Sequence, residues 1–233
     1  MYKVLILGAG LVAKPIVEYL IERDFKVLIA TSTREKADRI IKGHPHGSSL
    51  KWSMDDTSTL DLLINESDIT VSLLPYRYHT EVAKICIKKR KSLVTTSYVE
   101  AEMQALDNPA KKAGVIILNE TGLDPGIDHM SAMRIIDHIH GRGGKVEEFY
   151  SLCGALPAPE AADNPLRYKF SWSPKGVILA SLNSALYLKN GKRVAIDSVN
   201  LFKDRFTYSF PGIGELEVYP NRDSIRYIDI YGI

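Results

Sequence analysis

Two aspartates flank a Pro-Gly pair in the segment ILNETGLDPGIDH, residues 117–129. A carboxylate can exchange a proton with a substrate or stabilise a neighbouring cation, so Asp124 and Asp128 are both candidates for chemistry. Asp124 can equally bond the backbone of its own turn. Asp128 begins an expected helix, Ile127–Ile139, where the helix dipole favours a carboxylate that has no catalytic role. The choice depends on the elements that position this segment.

A glycine-rich turn follows the first apolar run, Lys3–Leu7, in the stretch LILGAGLVAKP. Gly8 permits a tight turn, Gly10 lets the backbone approach a pyrophosphate, and Ala13 allows a helix to pack closely on the strand. The N-terminus of that helix offers N–H groups and a partial positive charge to phosphates. The pattern predicts a dinucleotide site, with a purely structural turn as the alternative. The predicted contacts are Gly8, Ala9, Gly10, Leu11 and Val12.

The end of the second apolar run, Phe25–Ala30, should carry the residue that reads the ribose. An NAD site places an acidic residue there, but the sequence continues TSTR, without a carboxylate. Hydroxyls and a guanidinium suit a 2′-phosphate, so Ser32, Thr33 and Arg34 favour NADP and leave NAD as the alternative. Ser32 or Thr33 could instead, or in addition, cap the next helix.

Strands and helices alternate through the first part of the chain, and the strands are continuously apolar. This pattern predicts an α/β fold of the Rossmann type, a doubly wound parallel sheet that binds ligands at the carboxyl ends of its strands, over residues 1–142. The predicted strands are Lys3–Leu7, Phe25–Ala30, Ile69–Leu74, Leu93–Thr96 and Val115–Leu118. The predicted helices are Pro15–Arg23, Arg34–Lys42, Leu60–Ile64, Glu81–Lys89 and Glu100–Leu106, with a loop at residues 44–49.

The alternation stops after Arg142, where GRGGK forms a flexible joint. Residues 143–233 are predicted to form an α+β substrate domain. Its predicted elements are one long helix, Val177–Leu188, and strands within residues 146–154, 193–201, 206–210 and 216–220. Residues 156–174 contain four prolines, and a loop of this length usually has a function.

Composition narrows the class of protein. The 233 residues carry a net charge of +2 and are 45% hydrophobic, an ordinary globular balance without a basic stripe for nucleic acid. No apolar run approaches the ~20 residues of a membrane helix, and the start at MYKVLILGAG leaves no room for a signal peptide, so a cytoplasmic location is expected. Cys86 and Cys153 form no disulfide framework, and the histidine pairs lack metal-ligand spacing, so no metal is predicted.

Seven stretches in order along the chain resemble one family: GAGLVAKP, VSLLPYRYH, TTSYV, GLDPGIDHM, CGALPAPE, DNPLRYKFSWSPKGV and YPNRDS. They resemble the glutamate-forming saccharopine dehydrogenases. The resemblance implies an oxidoreductase of lysine metabolism that interconverts saccharopine, NAD(P)⁺ and water with L-glutamate, 2-aminoadipate 6-semialdehyde and NAD(P)H. Members of the family are roughly twice as long, so this chain is expected to lack a C-terminal part.

The resemblance also assigns roles to side chains. It places Asp124, Tyr98 and Cys153 at the reacting nitrogen, and Arg222 as a bidentate carboxylate ligand. Ser97 could bind a second carboxylate. The full set of predicted substrate-binding residues is Ser97, Tyr98, Asp124, Trp172 and Arg222. The residues predicted to line the cofactor beyond the glycine turn are Leu74, Pro75, Leu123 and Pro125.

Several alternatives stay open at this point. Arg222 could instead pair with Asp223 or another carboxylate, and Trp172 could simply belong to a core. The chain could be a non-catalytic fragment that binds a dinucleotide, or a related enzyme that acts on another imine. The oligomeric state is open, with a homodimer among the alternatives.

Overall fold

A six-stranded parallel sheet organises the first part of the computed structural model, which describes all 233 residues. Its strands are β1 Lys3–Leu7, β2 Lys26–Thr31, β3 Gly47–Lys51, β4 Ile69–Ser72, β5 Ser92–Thr95 and β6 Ile117–Leu118. They lie in the order β3-β2-β1-β4-β5-β6, and every neighbouring pair is parallel. The predicted doubly wound fold is therefore confirmed.

Helices cover both faces of this sheet. They are α1 Ala13–Ile21, α2 Arg34–Ile41, α3 Thr57–Glu66, α4 His79–Lys89, α5 Ala101–Gln104 and α6 Asp107–Ala113. Successive side chains of a strand point to opposite faces, so β1 contributes to two cores. Leu5 and Leu7 join the cluster that contains residues of α3 and α4, whereas Val4 and Ile6 pack with residues of α1 and α2. This double burial explains why β1 is apolar throughout.

The direction of winding reverses at β1, which lies between β2 and β4. The chain after β1 leaves through Gly8, whose φ of +105° is unfavourable for other residues. A Cβ on Gly8 would lie 3.2 Å from the carbonyl oxygen of Leu73, directly after β4. The Leu73 amide in turn donates to the Leu7 carbonyl at 2.9 Å. A crevice between the ends of β1 and β4 is where such sheets bind their ligands.

Two elements of this sheet region were missed by the sequence prediction, and three predicted strands are shorter or end earlier than expected. β3 occupies part of the segment predicted as a loop, because an edge strand paired only with β2 needs no continuous apolar run. α6 was not predicted at all. β6 is reduced to two residues, and β4 and β5 end slightly earlier than predicted.

The chain divides into two compact units, residues 1–129 and 130–233, with α7 Ile127–His140 running across the division. The second unit contains helices α8 Pro174–Ala180 and α9 Arg226–Tyr231. Its strands are β7 Ala185–Lys189, β8 Lys192–Ile196, β9 Phe206–Phe210, β10 Gly214–Val218 and β11 Arg222–Asp223. They form a three-stranded sheet in the order β11-β7-β8 and a separate β9–β10 hairpin. This mixture of short strands and helices is of the predicted α+β kind.

The predicted long helix Val177–Leu188 is wrong. The helix α8 ends at Ala180, and residues 185–189 form the strand β7. Asn190 and Gly191 both have positive φ, +51° and +70°. A two-residue turn of this kind closes a β-hairpin, so β7 pairs antiparallel with β8 and the apolar residues before the turn are held in a strand.

The predicted strand within residues 146–154 is also wrong. Residues 146–154 contain no strand, and the Phe149 ring makes an edge-to-face contact with Tyr231, with centroids 5.5 Å apart. The strand predicted within residues 193–201 ends at Ile196, and a 3₁₀ helix covers residues 198–203. The strand at 206–210 is confirmed, and the one predicted at 216–220 overlaps β10.

The proline-rich segment 156–174 is mostly irregular, and the Asn164 side chain bonds to its backbone at three places. Asn164 Oδ1 accepts hydrogen bonds from the amides of Leu166 and Tyr168 at 3.1 and 3.3 Å, and its Nδ2 donates to the Tyr168 carbonyl at 2.7 Å.

No helix in either unit has the length and apolar character to cross a membrane.

The turn between β6 and α7 depends on Gly126. Its φ is +148°, and a Cβ there would lie 2.2 Å from the Gly122 carbonyl oxygen. The Gly122 amide donates to the Pro125 carbonyl at 2.8 Å, and the Ile127 amide donates to the Gly122 carbonyl at 3.0 Å. The backbone therefore folds back on itself where a side chain would not fit.

Gly126→Ala should lower the free energy of unfolding by at least ~2 kcal/mol, because unfavourable φ and a backbone clash act together. Gly43→Ala is the matched control: Gly43 has φ +72° but no heavy atom within 4 Å of an added Cβ. The control should cost only about 1 kcal/mol. Urea denaturation measures both, and equal losses would contradict this account of the turn.

Candidate functional site

The carboxyl ends of five strands converge at one edge of the sheet, and most predicted site residues follow them directly. Residues 8–12 follow β1, residues 32–34 follow β2, and residues 74–75 come just after β4. Ser97 and Tyr98 follow β5, and the segment 119–126 follows β6. Parallel pairing therefore brings these segments to one side of the first unit, as the sequence predicted.

The turn after β1 has the features that a pyrophosphate site requires. An added Cβ on Gly10 would meet no heavy atom within 4 Å, so the backbone there borders open space. The helix α1 has no side-chain cap and no acidic residue in its first turn, which leaves its N-terminus favourable to an anion. Ala9 and Ala13 are buried, whereas Leu11 and Val12 are exposed. These residues fit a dinucleotide.

The end of β2 presents hydroxyls and a cation, as predicted. Thr33 occupies the N-cap position of α2, but its side chain makes no capping bond, so the capping alternative does not describe it. Ser32 is exposed. Arg34 Nε donates to Ser49 Oγ at 3.1 Å and lies 3.7 Å from Asp38 Oδ2. Both interactions use Nε, and the terminal guanidinium nitrogens make no hydrogen bond within the protein.

Tyr98 and Asp124, two predicted catalytic residues, are in direct contact. The Tyr98 hydroxyl donates a hydrogen bond to Asp124 Oδ1. Asp124 is exposed and Tyr98 is half-buried, so the pair lies at the open edge of the unit. The turn amide is bonded by the other aspartate: Asp128 Oδ1 accepts the Gly126 amide at 2.6 Å. The two aspartates thus have the separate structural positions that the sequence predicted, while the catalytic role of Asp124 stays a prediction.

Glu120 was not identified from the sequence, although it belongs to the same segment. Its backbone has φ +58°, an unusual value for glutamate. Its Oε1 accepts the Val99 amide at 2.9 Å, and its Oε2 lies 3.3 Å from His129 Nε2. Glu120 therefore links the loop after β5 to the start of α7, beside the Tyr98–Asp124 pair. Only its position after a predicted strand could have drawn attention to it.

His79 is the second residue that the sequence analysis missed. It is buried at the start of α4, where Nδ1 lies 2.9 Å from Ser72 Oγ and Nε2 lies 2.9 Å from Ser97 Oγ. Burial lowers its pKa to about 4, so the imidazole is neutral at pH 7. The histidine was visible in VSLLPYRYH, but the predicted helix began at Glu81 and left it in a loop.

The residues predicted to line the cofactor are not equally accessible. Pro75 and Leu123 are exposed, and Leu74 packs against the core. Pro125 is buried in its own turn, and its carbonyl accepts the Gly122 amide. Of the two predicted cofactor contacts in this loop, Leu123 is therefore the one that is open to a ligand.

Three predicted substrate residues lie in the second unit. Cys153 is exposed. Trp172 is 41% exposed and lies on Gly176, where an added Cβ would come within 2.5 Å of the indole ring, so it is not a core residue. Arg222 is exposed in β11, and neighbouring Asp223 accepts the Ile225 amide at 3.0 Å. Their roles toward a substrate stay predictions.

No group of three or more His, Cys, Asp or Glu side chains is arranged to hold a metal ion.

Protonation of His79 should destabilise the first unit. The unfolded histidine takes up a proton near pH 6.5, but the folded one does so only near pH 4, so the free energy of unfolding falls as pH drops through this window. Compared with His79→Gln, the unaltered protein should lose up to about 3 kcal/mol of its free energy of unfolding as the pH falls from about 6.5 to about 4. Urea denaturation at several pH values measures the difference, and parallel pH dependences would contradict it.

Two family models match consecutive parts of the chain. The saccharopine dehydrogenase NADP binding domain matches residues 4–118, and the saccharopine dehydrogenase C-terminal domain matches residues 122–233. Among solved structures, the apo saccharopine dehydrogenase (L-Glu forming) from Saccharomyces cerevisiae is similar, with a TM-score of 0.89 and 41% identity. That match covers 100% of this chain and 52% of the yeast chain.

Curated relatives match along the whole chain. Saccharopine dehydrogenase (NADP(+), L-glutamate-forming) of Schizosaccharomyces pombe is 45% identical over 100% of this chain and 52% of the relative. The mitochondrial alpha-aminoadipic semialdehyde synthase of Mus musculus is 42% identical over 99% of this chain and 25% of the relative. The chain thus spans about half the length of the yeast proteins it matches and a quarter of the mouse protein. With both family models and these relatives in agreement, the chain belongs to the saccharopine dehydrogenase family.

Proposed function

We propose that this chain binds NADP and belongs to an oxidoreductase that acts on the CH–NH group of saccharopine. The reaction interconverts saccharopine, NADP⁺ and water with L-glutamate, 2-aminoadipate 6-semialdehyde, NADPH and a proton. The observation that carries the proposal is the Tyr98–Asp124 pair at the same sheet edge as the dinucleotide turn. The names of the relatives supply the substrate.

The cofactor would lie along the ends of β1, β2 and β4. Gly10 and the uncapped start of α1 suit its pyrophosphate. Ser32, Thr33 and the terminal nitrogens of Arg34 suit a 2′-phosphate, which accepts charge-assisted hydrogen bonds. NAD would lack the carboxylate that normally binds its ribose. The nicotinamide ring supplies the exchange of a hydride with the substrate carbon.

The Tyr98–Asp124 pair supplies charge where the reaction needs it. The substrate nitrogen is an ammonium or amine before oxidation and an iminium after it. A carboxylate beside that nitrogen stabilises both cations and can take up the ammonium proton. The Tyr98 hydroxyl fixes one oxygen of Asp124, which leaves the other available to the substrate. Because the substrate amine can carry its own proton, no additional strong acid or base is required.

The second unit would contribute the remaining contacts to a substrate with three carboxylates. Arg222 can hold a carboxylate through two parallel hydrogen bonds. Trp172 offers an exposed ring to an aliphatic chain, and Cys153 adds an exposed thiol. We assign the cofactor-binding domain to residues 1–142, which also contribute Ser97, Tyr98 and Asp124 to the binding of the substrate, and the substrate-binding domain to residues 143–233. The proposed location is the cytoplasm, and a homodimer is the assembly that we would test first.

A second candidate function follows from the length of the chain, which is about half that of its yeast relatives. A dinucleotide-binding fragment without turnover would bind NADPH but would not respond to saccharopine. A related enzyme acting on another imine would oxidise other secondary amines as fast as saccharopine. Titration with NADPH and assays with alternative amines separate these functions.

The chain should reduce NADP⁺ when saccharopine is added, and NADP⁺ should be clearly preferred to NAD⁺. The assay follows NADPH absorbance with each cofactor. Binding of NADPH without turnover would favour the fragment, and a clear preference for NAD⁺ would contradict the assignment of residues 32–34.

A pair of arginine variants tests the same preference. Arg34→Ala should weaken NADPH binding about tenfold or more, the size of a lost charge-assisted hydrogen bond, and should leave NADH binding unchanged. Arg39→Ala is the matched control, because it removes another exposed arginine from the same helix. Arg39 Nε donates to the Glu35 carbonyl, and its removal should change neither the NADPH nor the NADH affinity.

Asp124→Ala should lower the turnover number roughly 10- to 100-fold without abolishing it, since the pair stabilises a cation but is not the only source of protons. Tyr98→Phe keeps the ring and should have a smaller effect. Steady-state kinetics in an active form of the protein give both values. Complete loss of turnover with normal saccharopine binding would make Asp124 an obligatory acid or base and would overturn this mechanism.

A further inference from the structure

His79 connects the ends of two neighbouring strands through hydrogen bonds that involve both ring nitrogens. Nδ1 lies 2.9 Å from Ser72 Oγ at the end of β4, and Nε2 lies 2.9 Å from Ser97 Oγ just after β5. Ser72 and His79 are buried, whereas Ser97 is half-buried at the open edge of the sheet. A chain of three polar side chains thus runs from the interior to the site.

Ser72, the buried end of the Ser72–His79–Ser97 series, determines the direction of the hydrogen bonds in that series. Ser72 is fully buried, at 0% exposure, and His79 Nδ1 is the only hydrogen-bond partner of its hydroxyl. A buried hydroxyl that donates to nothing is unfavourable. Ser72 therefore donates its proton to Nδ1, which must be the unprotonated nitrogen of the ring.

The directions of the remaining hydrogen bonds, at His79 and Ser97, follow from the chemistry of imidazole. A neutral imidazole carries one N–H and one acceptor nitrogen. With Nδ1 as the acceptor, the proton lies on Nε2, which donates to Ser97 Oγ. The Ser97 oxygen is then an acceptor toward His79, so its own proton must point elsewhere. The hydroxyl makes no other hydrogen bond within the protein, and the open edge of the sheet is the remaining direction.

We infer that His79 is a positioning residue whose Nε2–H fixes Ser97 as a hydrogen-bond donor toward a carboxylate of the substrate. The opposite tautomer would make the Ser97 hydroxyl donate inward to Nε2. It would then present only lone pairs to the ligand and would repel a carboxylate. The inference rests on the proposed function for the identity of the ligand, but the direction of the hydrogen bonds is independent of it.

The first test reads the tautomer directly. In protein labelled with ¹⁵N-histidine at neutral pH, His79 should show an unprotonated Nδ1 and a protonated Nε2, with Nε2–H coupled to its ring carbons. The spectrum of His79→Gln, from which this signal is missing, assigns it. A proton on Nδ1, or on both nitrogens, would overturn the inference whether or not the protein is an enzyme.

The second test asks whether His79 acts through Ser97. Ser97→Ala should raise the KM for saccharopine about tenfold or more, as expected for a lost hydrogen bond to a charged group, and leave NADPH affinity unchanged. His79→Leu should raise KM to a similar extent. In the Ser97→Ala background, His79→Leu should have no further effect on KM, because its contribution is already lost.

A conservative replacement separates positioning from a general loss of structure. The amide of His79→Gln can donate to Ser97 Oγ, so its KM should stay within about threefold of the original protein, since most of the hydrogen bond is kept. Additive effects of His79→Leu and Ser97→Ala would assign His79 a merely structural role. Normal saccharopine binding in Ser97→Ala would overturn only this inference, whereas failure of the unaltered protein to bind saccharopine would overturn the proposed function itself.

Discussion

Parallel pairing of β1 with both β2 and β4 is the constraint on which the rest of the first unit depends. Parallel strands require a crossover connection between them, so each return of the chain places a helix on one face of the sheet. Crossovers on both sides of β1 bury it from both faces and direct its glycine turn toward the end of β4. The crevice, the helix N-terminus and the strand-end loops all follow from that arrangement.

Polar groups near these strand ends must be satisfied, and this requirement shapes the candidate site. Ser72 and His79 are buried beside apolar core residues, where an unpaired polar group would be costly. Their hydrogen bonds lead outward to Ser97 rather than ending in the interior. Glu120 likewise accepts a hydrogen bond from the Val99 amide, and its other carboxylate oxygen lies 3.3 Å from His129 Nε2. The loops that present Tyr98 and Asp124 are thus held by hydrogen bonds from residues that need not touch a substrate.

The fold of the second unit is specified by different interactions from those of the first. Its small apolar cluster contains Ala132, Ile136 and Tyr231, and four of its five strands form two antiparallel hairpins. Short antiparallel hairpins are specified locally, by turn residues such as Asn190–Gly191, rather than by a sheet buried on both faces. Many of its apolar side chains are exposed in a chain that spans half the length of its yeast relatives.

The sequence by itself determined the doubly wound sheet, the glycine turn and the position of Asp128 in the first turn of a helix, because apolar periodicity, glycine requirements and helix-start residues are local signals. It also indicated the family through several long motifs. It did not determine β3 or β7, because an edge strand and a hairpin depend on their partners more than on their own residues. The partnership of Tyr98 with Asp124 and the roles of Glu120 and His79 were decided by the tertiary structure. Those contacts join residues that end or follow different strands or begin the helices after them, and parallel packing brings these segments within hydrogen-bond distance.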